Sequence, residues 1–236
     1  LSFALGEMPR VRDEAQRAAE LHRGLGDELG HAGALMLLGP ALVYTGERAE
    51  GKRVLAEASS IMRKRGALRG AIGVDVNLGS MLVFEGDVEG ARALFERGLA
   101  ETEHADQRRI LLTNVAHCHL LQGVPARAAE LYLEVAESLR ERLAPIDACY
   151  ALEGLAASWA ALGRNAAAAA TLMAAATTAR EELGAPPEPP EQALKERGME
   201  ELRQLLDEDE YAAAAAAGAA MTLEGAVEYA LENAER

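Results

Sequence analysis

The sequence predicts an all-α fold, a solenoid of stacked helical hairpins wound as a right-handed superhelix and ending in a short helical tail. Three observations predict it. Glycine recurs at Gly6, Gly46, Gly86, Gly123 and Gly163, with gaps of 40, 40, 37 and 40 residues. Residues at fixed distances from each glycine share size and polarity. Composition agrees: half of the 236 residues are hydrophobic but only 4% are aromatic, which suits close-packed alanine- and leucine-rich helices better than a β-sandwich.

Within the repeat, each glycine follows an apolar helical run and precedes an amphipathic one. A helix that must stop and reverse often ends on a left-handed residue, which glycine adopts without a Cβ clash. The unit is therefore helix A, tight turn, helix B. Eight positions before the glycine stand Leu38, Leu78, Val115 and Leu155. Seven before stand Gly39, Gly79, Ala116 and Ala156, small enough to let two helix backbones approach. After it, position +5 is Val11, Gly51, Ala91, Ala128 and Ala168, and position +9 is Ala15, Leu55, Phe95, Tyr132 and Leu172. Position +12 is Ala18, Ala58, Gly98, Val135 and Ala175. Steps of four and three keep these on one helical face. Asp87 and Asn165 are expected as N-caps, and Pro125 suits a first helical turn. One hairpin cannot bury its own apolar face, so neighbours stack.

This register resembles the tetratricopeptide motif over residues 1–184. The clearest copies are at 68–104 and 107–142; the copy at 145–184 carries Trp159, and the copy at 29–66 departs by having Gly51 at the first helix-B position. Gaps of 40 exceed the 34 of the common motif, so longer hairpins or connections are expected. Gly6 reads as a turn glycine whose helix A would precede Leu1, so the first repeat is expected to be truncated.

After the repeats, Ala185-Pro186-Pro187-Glu188-Pro189-Pro190 reads as a stiff connector over 185–190. Residues 191–236 read as an acidic helical cap. Its helices are expected from Glu191 to about Leu206, from about Asp209 through the alanine run, and from Leu223 to Asn233 behind a Thr222 cap. Residues 181–236 hold 15 acidic and 4 basic side chains, a balance of −11 out of −14 for the whole chain. Without a basic stripe, direct nucleic-acid binding is not expected. Cys118 and Cys149 form no disulfide framework and suit a reducing cytoplasm. Residues 1–15 lack a charged start followed by an apolar run, and Ala166 to Ala179 is too short to span a bilayer.

A narrower resemblance covers residues 145–236. The order Ala151-Leu152-Glu153-Gly154-Leu155-Ala156, then Arg180-Glu181-Glu182-Leu183-Gly184-Ala185-Pro186, then Met221-Thr222-Leu223-Glu224-Gly225-Ala226-Val227-Glu228-Tyr229-Ala230-Leu231 resembles the C-terminal part of bacterial MalT-like and LuxR-type signal-transduction ATPase regulators. The stretch 212–220 departs from it, being bland where such relatives often carry a tryptophan and charges. The resemblance implies a sensor and oligomerisation region, with the nucleotide site elsewhere in the polypeptide.

Catalytic and metal motifs do not survive their spacing. Gly46 to Lys52 matches a phosphate loop up to the lysine, but Arg53 replaces the Ser or Thr and a helix precedes it where a strand is required. His117-Cys118-His119 are neighbours on a helix, pointing about 100° apart, and cannot converge on one metal. No cofactor is expected, and an enzyme is the least favoured reading.

The groove lined by the A helices is the candidate site. Counting back from the turn glycines, it takes Met36, Val76, Thr113 and Glu153 at −10, and Leu37, Asn77, Asn114 and Gly154 at −9. It takes Pro40, Ser80, His117 and Ala157 at −6, and Tyr44, Phe84, Leu121 and Ala161 at −2. Of these, Met36, Tyr44, Asn77, Ser80, Phe84, Thr113, Asn114, His117 and Glu153 are the ligand-facing candidates. Asn77 and Asn114 share a register, and an amide both donates to and accepts from an extended peptide backbone; satisfying a helix end or facing water is the alternative. Tyr44 and Phe84 supply an apolar floor or fill a seam. The expected ligand is a protein or peptide, with a small inducer and self-association as alternatives, and no membrane. The function expected is a binding module in a larger transcriptional regulator; an independent adaptor is the alternative.

Overall fold

The structure is a computed structural model, and it describes residues 7–187 and 189–234. Gly6, the expected first turn glycine, and the truncated hairpin inferred from it lie outside the described residues, as does Glu188. The described residues form twelve helices and no strand. They fall into two compact units, Leu1–His104 and Ala105–Arg236.

In the first unit, α1 (Met8–Gly24), α2 (Glu28–Tyr44), α3 (Arg48–Lys64), α4 (Leu68–Phe84) and α5 (Val88–Glu101) follow one another, and each packs on the next. The first four are 17 residues long and separated by three-residue turns. Two such helices with two turns account for the 40-residue spacing, so the extra length lies in the helices. The shorter gap of 37 arises because α5 has only 14 residues and ends on extended Thr102.

Turn glycines are more frequent than the ladder of expected ones. Gly26, Gly46, Gly66, Gly86, Gly123, Gly163 and Gly184 all have positive φ, between 61° and 96°. After each, the next amide reaches back to a carbonyl five residues earlier: Glu47 to Leu42 at 2.8 Å, Asp87 to Leu82 at 2.9 Å, Arg164 to Trp159 at 3.1 Å. This closes the orphan carbonyls of the last helical turn. Gly26 and Gly66 join one hairpin to the next, a role the 40-residue ladder passes over.

The small–large pairing of the register has a direct physical meaning. A Cβ on Gly39 would lie 2.4 Å from the Leu55 side chain, and one on Gly79 would lie 2.4 Å from the Phe95 ring. The glycine at −7 is thus the seat of the large residue at +9 in the same hairpin. Gly51, the departure from the motif, sits where a Cβ would be 2.7 Å from the Gly39 carbonyl oxygen, so α3 presses its backbone onto α2.

In the second unit, α6 (Ala105–Leu121), α7 (Pro125–Glu141), α8 (Pro145–Ala161) and α9 (Ala166–Leu183) continue the hairpins. Three more helices follow: α10 (Pro189–Leu205), α11 (Glu208–Ala219) and α12 (Leu223–Ala234). α10 packs on α8 and α9, α11 on α9, and α12 on α7, α8 and α9. Helix α10 begins at Pro189, inside the stretch expected as connector. Proline at a helix start forgoes no hydrogen bond, because the first amides have no partner there.

The caps divide. The Asp87 carboxylate accepts from Gly90 N at 3.0 Å, Pro125 stands at the start of α7, and Thr222 Oγ1 accepts from Gly225 N at 3.1 Å, as expected. Asn165 is not a side-chain cap: it has φ 52°, and its amide donates to the Asn233 carbonyl at 2.9 Å instead. Asp207 and Glu210 form a capping box at the start of α11. No helix among the described residues is long and apolar enough to cross a membrane.

Candidate functional site

The A helices of the first unit are α2 and α4, both packed on α3. On α2 the −10 residue Met36 is half-buried against the core, and its neighbour Leu37 is 45% exposed. Pro40 is exposed, and Tyr44 is 49% exposed at the end of the helix. On α4 the same row holds exposed Asn77, half-buried Val76 and Ser80, and Phe84 at 52% exposure. Tyr44 and Phe84 are thus each about half exposed at the ends of their helices.

One feature of this face lies outside the sequence-based groove positions. Gly33 and Gly73 occupy one register, thirteen before Gly46 and Gly86, and a Cβ at either would meet nothing within 4 Å. A mid-helix glycine costs about 1 kcal/mol relative to alanine, and here no packing demands it. Pro40 lies inside α2. Having no N–H, it leaves the Met36 carbonyl without its helical donor. The face thus combines bare backbone, exposed aromatic rings and the Asn77 amide, which makes no hydrogen bond among the described residues.

The second unit treats the same register differently. Thr113 Oγ1 donates to the Arg109 carbonyl at 3.0 Å, and Asn114 Nδ2 donates to the Ile110 carbonyl at 2.8 Å. Both polar groups serve their own helix. His117 is half-buried, and burial pulls its ring down to about 4 from the usual 6.5, so it is neutral at pH 7. Gly154 is a seat for Tyr132, whose ring would be 2.1 Å from an added Cβ.

Glu153 does not line an open groove. It is buried, and its carboxylate accepts from Arg180 Nε at 2.8 Å and from Lys195 Nζ at 3.2 Å. Arg180 also lies over the Tyr150 ring at 4.2 Å and donates to the Ala185 carbonyl at 3.2 Å. The network ties α8, α9, the connector and α10 together. A Cβ on Gly198 of α10 would be 3.2 Å from the Ala157 Cα, so α10 lies directly on the A-helix face of α8. The signal for this was present in the charges of Arg180 and Lys195, but the partner carboxylate is 27 and 42 residues away.

The phosphate-loop spacing has no loop beneath it. Arg48 to Lys52 form the first turn of α3, and Lys52 Nζ is paired with Glu85 at 2.5 Å. Cys118 and Cys149 are buried and form no disulfide among the described residues, and burial pushes Cys149 up to about 11.

No protein-family model matches the chain, and no curated protein matches it. Solved structures do. A crystal structure of the nearly identical TPR-like repeats of a Podosopora anserina kinesin light chain-like protein, in a variant form, superposes with a TM-score of 0.53 at 16% identity, over 75% of this chain and 98% of that one. A second structure of those repeats gives a TM-score of 0.48 at 15% identity, over 88% of this chain and all of that one. At the first of these scores the shared property is the fold. The chain has an all-α, tetratricopeptide-like repeat fold.

Proposed function

We propose that the chain is a non-catalytic binding module whose ligand-facing surface is the A-helix face of the first unit. The observation that carries this is the matched exposure of Leu37, Tyr44 and Phe84 on α2 and α4, beside Asn77 and the open backbone at Gly33 and Gly73. Large apolar side chains grouped on one face favour a partner that removes them from water. Asn77 fixes the register of an extended peptide through its main chain. Tetratricopeptide-like repeats serve as protein-interaction scaffolds, which supports a protein or peptide as ligand. Thr113, Asn114, His117 and Glu153 take the supporting part, holding the second unit in shape. In this reading α10 to α12 act as the cap of the repeats.

The wider setting we propose is the sensor and scaffold segment of a larger bacterial transcriptional regulator, acting in the cytoplasm. The resemblance of residues 145–236 to MalT-like and LuxR-type regulators supports it. Occupancy of the first unit would then bias how neighbouring domains assemble.

Selection of a displayed peptide library on the full chain tests the groove. Enriched peptides are expected to lose at least about tenfold in affinity on Tyr44→Ala, Phe84→Ala or Asn77→Ala, with the thermal midpoint unchanged because all three side chains are exposed. Peptides that bind all three variants as tightly as the parent would overturn the site. The regulator setting is tested by the full-length gene: an encoded ATPase module supports it, and its absence sinks it.

A further inference from the structure

The first unit carries a cleft on the side of the B helices. This cleft, of about 280 Å³, runs between α1 and α3 with α2 as its floor. Leu35, Leu38 and Leu42 line the floor, and Val54 and Ala19 the walls. The rim carries Glu20 and Arg23 on one side, and Glu47, Glu50, Arg53 and Glu57 on the other.

The second unit shows what such a surface holds. Its helices α7, α8 and α9 correspond to α1, α2 and α3 when the register is shifted by the 117 residues between Gly46 and Gly163. There α12 lies against all three helices, burying Ala226, Val227 and Ala230. Arg140 at the end of α7 pairs with Glu228 of α12 at 2.9 Å. Under the shift Arg140 becomes Arg23, Glu137 becomes Glu20, and Leu152, Leu155 and Trp159 become Leu35, Leu38 and Leu42. Leu152, Leu155 and Trp159 are 0% exposed under α12, and Leu35, Leu38 and Leu42 are also buried, at 4–6% exposure. Arg23, unlike Arg140, forms no ion pair among the described residues.

We infer that the α1–α3 cleft is a docking site for an amphipathic helix of a partner protein, seated as α12 is seated in the second unit. Its narrow face carries small apolar residues, because α12 fills its own cleft with alanine and valine. One acidic residue, in the place of Glu228, pairs with Arg23. The flank toward α3 is basic. That follows from charge: α3 brings Glu50 and Glu57 against Arg53, with Glu47 just before it paired to Arg12 of α1 at 3.2 Å, where the second unit has Ala167, Ala174, Ala170 and Arg164 in the same register. The acidic α12 of a second copy would therefore fit this cleft poorly. On a helix advancing 100° per residue, the flank of α12 opposite Glu228 holds Tyr229 and Asn233, and Asn233 meets α9 through its carbonyl. Basic residues of the partner belong at those two positions. This surface is separate from the A-helix face, so either reading stands without the other.

The test uses the full chain and two fluorescein-labelled peptides. One has the sequence of residues 221–234; the other carries Tyr229→Lys and Asn233→Lys. The lysine peptide is expected to bind at least about tenfold tighter. Arg23→Glu in the chain should weaken it about tenfold or more, and Glu228→Arg in the peptide should restore binding. Arg140→Glu should leave it unchanged. Arg23 is exposed, so its variant keeps the parent's thermal midpoint. Four results overturn the proposal: no binding by the lysine peptide, equal binding by both peptides, indifference to Arg23→Glu, or loss on Arg140→Glu alone, which would mean exchange with α12.

Discussion

Asp75 is the most heavily committed side chain of the first unit. It is 1% exposed, and it accepts from Ser59 Oγ at 2.7 Å, Arg63 Nη2 at 2.5 Å and Arg97 Nη2 at 2.8 Å. It thereby joins α3, α4 and α5 through one carboxylate. Removing one partner of a buried charged cluster costs more than the pair contributes, because the remaining charges stay desolvated. Asp75→Ala is expected to cost about 3 kcal/mol in urea denaturation. Arg97→Ala should cost less than about 1 kcal/mol, since its side chain is half exposed and water replaces the contact. His117 gives a pH signature. Its folded pKa is about 4 against 6.5 ordinarily, so between those values the unfolded chain binds a proton that the native chain refuses. Its contribution is complete above about pH 6.5 and is lost as pH falls toward about 4, amounting to about 2 kcal/mol after allowance for partial exposure. His117→Phe should remove that slope from denaturation midpoints measured between pH 7 and pH 5. Neither residue was legible from type alone. An aspartate in an apolar run and a histidine at a groove register both depend on what packs against them.

Among elements, α11 depends on one close approach. A Cβ on Gly218 would lie 2.1 Å from the Thr171 carbonyl oxygen and 3.0 Å from the Ala174 Cβ. The obstacle is backbone, which cannot rotate aside. Gly218→Val is expected to lift α11 from α9, at a cost of about 1–3 kcal/mol. Hydrogen exchange should then speed up over residues 208–219 while α2 to α4 keep their protection. The helix ends were legible where the chemistry is local: Asp87 caps α5, and Thr222 caps α12. Asn165 has an equally good cap side chain, but α12 offers it the Asn233 carbonyl, 68 residues away. Tertiary contact won over local preference. Asp207 with Glu210 is a capping box that the sequence spells out three residues apart, and α11 starts at Glu208, one residue before the expected Asp209.

For the whole molecule, the net charge of −14 sets an expectation about partners. Phosphate binding depends on releasing counterions from the nucleic acid with lysine and arginine. The full chain is expected to leave a labelled duplex DNA unshifted in a gel even at low salt; a salt-sensitive shift would contradict the placement of the acidic tail. By itself the sequence determined the hairpin: where it reverses, which small positions let its helices approach, and which face is apolar. Those features come from backbone sterics and from neighbours three, four or sixteen positions away, so one period carries them. Only the tertiary structure decided which faces stay open. α10 lies on the A-helix face of α8 and takes Glu153 out of the groove, and α12 lies between α7 and α9. The register assigns every copy of a repeat the same role. The closing helices come from segments with no counterpart in the repeat, and burial against them is a property of the assembled chain.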